Sequence, residues 1–536
     1  MTNNPATLEK QETIVTGEKT EYDTVSDPIR NDTLDSSEAI ENNNHHGLTG
    51  GDAALANAAW QFKAIALITA LLLPVGSHFS ASALSAMKSS IKTNLMIDNT
   101  RYGVLASAVS IINTIFPVLG GVFMDLFGSV WGTLVVNLFI IIGSLLTAIA
   151  GKYTSFPLMV VGRVIFGIGS GLIVTMQESL LSKWFRTQHL SIAIGLQLSI
   201  SRLASFLGTL AANPVAQSTG DWVWAFWLAL IICAFSVVMN LVYALIVRHL
   251  SGNNVMNKED VFKLKRKKSF KIMSVLKFPL FYWGIITIEF IYAAVWSSFQ
   301  TISTELIQIH FNSDSQLAGY KASASLIVPI VGTPVLGIIM DMFGARIIIL
   351  LLSAVFLILS CGLLGWTYVD AVVGMVFYSI SLAFGPIAMI TSIGMILPSD
   401  YIGTGLGMYK SSNNIGTSIL DIVIGIVQDN TEGQAYTGVM ILYIILAAIG
   451  FVMIVTLLIT QRIFLGNLLE AGLKKRQAMM KERNDKELAY ITQGEDSYKD
   501  GKIKPFNIVF LGLFISALIV AWVLFFVYAI SGKASV

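Results

Sequence analysis

The chain has 536 residues, of which 54% are hydrophobic and only 13% charged, with a formal net charge of +2. Soluble domains carry about 25% charged residues, so the composition excludes an ordinary soluble domain and points to lipid as the solvent. Cys233 and Cys361 both fall inside apolar runs and read as small core residues rather than as a disulfide or a metal pair.

Residues 1–59 are rich in Asn, Thr, Asp, Glu and Ser and read as a disordered cytoplasmic tail. They contain no apolar core of a signal peptide. The adjacent His45 and His46 have no cysteine or carboxylate at ligand spacing, so no metal is expected. From Phe62 onward, apolar runs long enough to cross a core of about 30 Å follow one another. Six lie near 62–87, 101–124, 131–150, 155–182, 188–213 and 222–248. Six more lie near 278–305, 318–340, 346–367, 370–396, 403–427 and 434–460. The chain thus divides into a first half (60–248), a basic linker (249–277), a second half (278–460) and a charged segment (461–505). The linker holds Lys263, Lys265, Arg266, Lys267 and Lys268, and the charged segment Lys474, Lys475 and Arg476. Excess positive charge marks the cytoplasmic side, which is where both segments are expected. Residues 506–530 form a thirteenth run, expected to anchor or pack rather than to gate.

One pattern, G-x-x-x-D-x-F-G, occurs twice: as Gly121, Asp125 and Gly128, and as Gly337, Asp341 and Gly344. The copies stand about 216 residues apart, far beyond the period of about 20–50 residues typical of solenoids and propellers, so two halves of several helices each are repeated. With six spans per half and a basic middle loop, this resembles the major facilitator superfamily. The resemblance implies an all-α membrane fold of two parallel halves around a midplane substrate site. It also implies that the repeated turn locks one conformation, with Arg163 of Gly162-Arg163-Val-Ile-Phe166-Gly167 grouped with it. The second copy is followed by the expected basic residue, Arg346, and the first is not. Gly167-Ile-Gly169, Trp184-Phe185, Gly195-Leu-Gln197-Leu-Ser199-Ile-Ser-Arg202 and Gly403-Thr404-Gly405-Leu-Gly407, in that order, are similar to the lysosomal dipeptide transporter family over roughly 60–460.

Arg202 stands near the middle of the fifth span, where a charge costs about 2.5–3.5 kcal/mol on insertion scales and should face a cavity or a partner. The resemblance gives it the carboxylate end of a peptide, for which a guanidinium fork is suited; a structural ion pair is the alternative. The family's glutamate for the peptide amino group is here Gly171, which can hold no ammonium. Glu289 in the seventh span could supply that charge or pair with Arg202, and Gln177 in the fourth completes the expected substrate set. Glu178 is expected in solvent, as are Glu305 and Lys321 beside a loop, and Lys410 is expected to snorkel. Asp421 and His78 are candidate proton or polar sites. Trp283, Tyr292 and Trp296 read as packing.

No phosphate-binding loop, metal cluster or nucleophile motif is present, so neither enzymatic activity nor a cofactor is expected, and nucleic acid is disfavoured. The reading is a secondary transporter working by alternating access in a lysosomal or vacuolar membrane, with the plasma membrane second. Dipeptides are the substrate that the resemblance implies. A monocarboxylate or other organic anion, or a non-transporting receptor or scaffold of the same fold, stays open beside them. The resemblance also implies a glycosylated accessory membrane subunit.

Overall fold

The computed structural model describes residues 59–116, 129–185, 190–251, 275–397, 401–476, 478–479 and 503–531. The Gly121-to-Gly128 turn, nearly all of the expected tail and basic linker, and about half of the charged segment lie outside the described residues. An apolar chain in lipid must satisfy its backbone within each segment, and the described elements are accordingly helical. The first half contains α1 (Trp60–Leu72), α2 (Val75–Ala86), α3 (Lys88–Leu95), α4 (Asn99–Asn113), α5 (Ser129–Lys152), α6 (Phe156–Trp184), α7 (Leu190–Thr219) and α8 (Trp224–Ser251). The second contains α9 (Leu280–His310), α10 (Ser315–Ser323), α11 (Ile327–Phe343), α12 (Arg346–Trp366), α13 (Ala371–Ile396), α14 (Ile402–Asp429) and α15 (Thr437–Phe464). The last helix is α16 (Pro505–Ser531). The first expected span is broken between α1 and α2 at Pro74, which lacks the amide donor that a continuous helix needs.

Eleven of the described helical stretches are long and apolar enough to cross a bilayer, α16 among them. Neither α4 nor α14 is among those eleven. Only 15 residues of α4 are described as helix, and α14 carries Lys410, Asn413, Asn414 and Asp421. These two helices face each other across the halves, where polar groups meet protein instead of lipid.

Their contact is backbone to backbone. A Cβ on Gly103 of α4 would stand 2.4 Å from the Asp421 carbonyl oxygen, and one on Gly425 of α14 would stand 2.4 Å from that of Asn99. Small residues permit such approach, which in lipid replaces the missing hydrophobic drive between helices. Gly425→Ala should therefore lower the thermal midpoint of the purified protein, since overpacking costs about 1–3 kcal/mol. Gly407→Ala on the same helix meets nothing within 4 Å and should be neutral or slightly stabilising; differential scanning fluorimetry of both variants separates the cases.

Candidate functional site

A cavity of about 240 Å³ lies where α2 and α7 of the first half meet α9 and the turn before α11 of the second. It is smaller than the pockets of about 300–1,000 Å³ that take drug-sized ligands. His78 and Ser82 enter from α2, Arg202 and Ser205 from α7, and Gln300 and Thr301 from α9. Arg202 sits in the middle of α7, half-buried, and makes no ion pair among the described residues. The Nε2 atom of His78 is also buried without a partner. The cavity therefore offers a permanent cation, an imidazole, several hydroxyls and an amide.

The other candidates stand apart from it. Gln177 is buried and donates from Nε2 to the Ala70 carbonyl oxygen at 2.8 Å, tying α6 to α1. Glu289 accepts from Asn413 Nδ2 at 2.9 Å, its second oxygen unpartnered, and does not line the cavity. Asp421 is buried with Oδ1 unpartnered, against the α4 seam. Arg163 lies over the Phe166 ring at 4.8 Å, two turns into α6. Beside Gly171 the room for a side chain is taken, because a Cβ there would fall 1.8 Å from Asn113 Oδ1.

The second repeated turn is built as a helix junction. Gly344 has φ +80° and ends α11 against the backbone of Glu470 and Ala471, where a Cβ would stand 2.5 Å from the Ala471 carbonyl oxygen. Asp341 meets Arg346 at 3.2 Å and Arg476 at 3.7 Å. Glu470 accepts from the amides of Ile347 and Ile348 at 2.7 and 3.3 Å, so it caps the start of α12. Burial raises the Glu470 carboxyl above its ordinary value, and these two amides oppose the rise. Glu470 follows the twelfth span, and no local pattern marks it.

Among the described residues, charged side chains join the halves at both faces. At the face where α3 ends, Lys88 Nζ reaches Glu305 Oε2 at 2.8 Å, Gln428 Oε1 at 2.9 Å and the Tyr436 hydroxyl at 2.9 Å. Those three partners use all three ammonium protons. Burial lowers the pKa of Lys88 from its ordinary value, and the Glu305 carboxylate opposes that. Lys92 takes the other Glu305 oxygen at 2.9 Å. Glu305 is thus buried between two lysines, not in water as its position near a loop suggested. Beside it, Asp429 at the end of α14 accepts from the amides of Asn99 and Thr100 at 3.0 and 2.9 Å. Asp98 accepts from the Arg101 amide at 2.7 Å, so the second half completes the cap of α4. At the opposite face, Glu178 pairs with Lys410 at 2.9 Å, both about one-third exposed, so neither is simply solvated or snorkelling. Lys88 and Lys92, four residues apart at the end of a span, are the one local signal that could have disclosed the buried network.

Two six-span halves enclosing a polar cavity, sealed by inter-half contacts, are the architecture of a membrane carrier. The sequence model of the Major Facilitator Superfamily matches residues 70–304 and 285–534. The chain belongs to that superfamily. It is 25% identical to the lysosomal dipeptide transporter MFSD1 of Homo sapiens over 76% of this chain and 88% of that protein. The Mus musculus counterpart is 26% identical over 78% and 90%. A crystal structure of a D-xylose-proton symporter shares the fold at a TM-score of 0.59 and 16% identity, covering 74% of this chain and 97% of that one. As a superfamily member the protein is a multi-pass secondary transporter of a small molecule and not an enzyme.

In this carrier the Lys88–Glu305–Lys92 cluster should be the costly one to break. Glu305→Gln leaves two lysines without their buried counter-charge and should cost about 3–5 kcal/mol. Lys321→Ala removes a pair whose partner Asp370 is 57% exposed and should cost less than about 1 kcal/mol. Thermal unfolding in detergent should show the first difference clearly and the second barely.

Proposed function

We propose that this carrier moves small carboxylate-bearing solutes, dipeptides foremost, by alternating access at a lysosomal or vacuolar membrane. Arg202 carries the reading: it is a permanent charge in mid-span, without an acidic partner among the described residues and lining the inter-half cavity. A carboxylate supplies the missing counter-charge in a bidentate geometry. Serine, threonine and glutamine side chains around it suit the amide of a peptide bond. The similarity to the lysosomal dipeptide transporter MFSD1 supports the dipeptide and the organelle. The face carrying α3 is read as lumenal, and that carrying Glu178 and Lys410 as cytoplasmic. On this assignment the lumenal side is shut, and opening it requires Lys88, Lys92, Asn99 and Thr100 to exchange partners for water. The repeated turns act as cytoplasmic conformational locks, and a glycosylated accessory subunit shields the lumenal face.

A second reading, an organic anion without an amino group, is favoured by where the carboxylates lie. Glu178 is held by Lys410, Glu289 by Asn413, and Glu305 by two lysines, while Asn113 fills the space beside Gly171. None of these carboxylates lines the cavity with Arg202. Uptake into proteoliposomes of dipeptides, amino-blocked dipeptides and monocarboxylates distinguishes the two. Arg202→Ala should reduce flux at least tenfold, since a hydrogen bond to a charged group contributes about 1.5–3 kcal/mol, and Arg202→Lys should recover part of it. Flux of free dipeptides alone supports the first reading, and equal flux of blocked peptides or simple carboxylates supports the second. Unchanged flux in Arg202→Ala removes the anchor from both.

A further inference from the structure

The helix α16 packs on both halves at once, along the seam between α4 and α14. Its inward residues recur at helical spacing: Asn507, Phe510, Phe514, Ala521 and Phe525, with Leu513 on the outward side 60% exposed. Its first turn is fixed to the second half. Asn507 is fully buried and donates from Nδ2 to the carbonyl oxygens of Leu276 at 2.7 Å and Phe278 at 2.8 Å, just before α9. One turn on, Phe510 stacks on Trp283 of α9 with ring centres 5.9 Å apart. Further along, Ala521 and Phe525 enter a core shared by Val104, Ala108 and Ile111 of α4 and by Ile415 and Ile422 of α14. There Trp522 Nε1 donates to Thr114 Oγ1, in the first half, at 3.2 Å.

We propose that α16 is a positioning element of the transport cycle: a brace fixed to the second half that grips α4 only while the α4–α14 seam is closed. The inference rests on the two-state reading above. Parting α4 from α14 at the face of Asp429 takes Thr114 and the apolar face of α4 away from one side of α16. The Asn507 anchor stays with α9, because its acceptors are the main-chain carbonyls of Leu276 and Phe278 that lead directly into that helix. The Trp522–Thr114 bond and the α4 contacts therefore exist in one state and not in the other, and only such a difference can bias an equilibrium. Trp522 and Thr114 touch no substrate; they act through the position of α4.

The test reads the seam directly. Ser85 lines the cavity, and both native cysteines are buried. A membrane-impermeant maleimide applied at the α3 face of full-length Ser85→Cys protein in oriented proteoliposomes therefore reports opening on that side. Trp522→Phe and Thr114→Val should each raise the labelling rate about threefold, the equivalent of the roughly 0.6 kcal/mol of a typical interhelical hydrogen bond in a membrane. The double variant should match the single ones, since both remove the same bond. Leu513→Ala, facing outward, should leave the rate unchanged, and melting should be equal across the set. Glu305→Gln, which breaks the seal itself, serves as the positive control. A rate raised by Glu305→Gln but unmoved by Trp522→Phe and Thr114→Val overturns the brace and leaves the carrier reading intact. So does an additive double variant or an equal rise in Leu513→Ala. No labelling even in Glu305→Gln overturns the two-state reading, and the brace with it.

Discussion

The closed seam between α4 and α14 is the constraint on which the rest of the structure depends. Two helices from different halves approach until backbone touches backbone, at Gly103 against Asp421 and at Gly425 against Asn99. The start of α4 is then capped by Asp429, a residue of the opposite half. A helix N-terminus has unsatisfied amides and a partial positive charge, so a carboxylate placed there satisfies both. This joint is reversible in a way that apolar packing is not, because water can replace the carboxylate at the exposed amides. A carrier needs a joint of that kind, firm when made and replaceable when broken.

Polar groups are distributed unequally around that seam, and the distribution separates structure from recognition. The ammonium group of Lys88 has three partners, and Glu305 is met by two lysines, so this cluster is saturated. Glu178 and Lys410 satisfy each other at the opposite face in a more exposed setting. Arg202 has no ion pair among the described residues and borders the cavity, whereas Arg163, also without an ion pair there, lies over the Phe166 ring and does not line it. The Lys88–Glu305–Lys92 and Glu178–Lys410 charges hold the halves, and the Arg202 charge, facing the cavity, is available to a solute. Around the second repeated turn the same economy appears at a helix junction, where Gly344 lets two backbones meet and Glu470 caps the next helix.

The helix α16 adds a second layer to the seam from the lipid side. It shares one apolar core with α4 and α14, and its polar contacts fall at two separate levels, Asn507 on the second half and Trp522 on the first. In lipid, burial of apolar surface discriminates weakly between packing partners, so the few hydrogen bonds and close-fitting rings decide where a helix rests.

Much of the architecture was legible along the sequence because lipid imposes a length and a composition on every span. The six-and-six pattern, the repeated G-x-x-x-D-x-F-G, the mid-span position of Arg202 and the thirteenth apolar run all follow from local rules about hydropathy, turns and charge. The two helices outside the eleven apolar crossings, α4 and α14, meet each other; the polar residues of α14 recorded a contact whose partner sequence could not name. What only the tertiary structure decided concerns pairs distant in the chain. Glu305 looked like a loop residue until Lys88 and Lys92 were brought to it, and Glu289 looked like a cavity residue until Asn413 was found beside it. Asp429 became a cap for α4 only when the halves closed. The physical reason is that the cost of a charge within a span is local, whereas the partner that offsets it is chosen by packing.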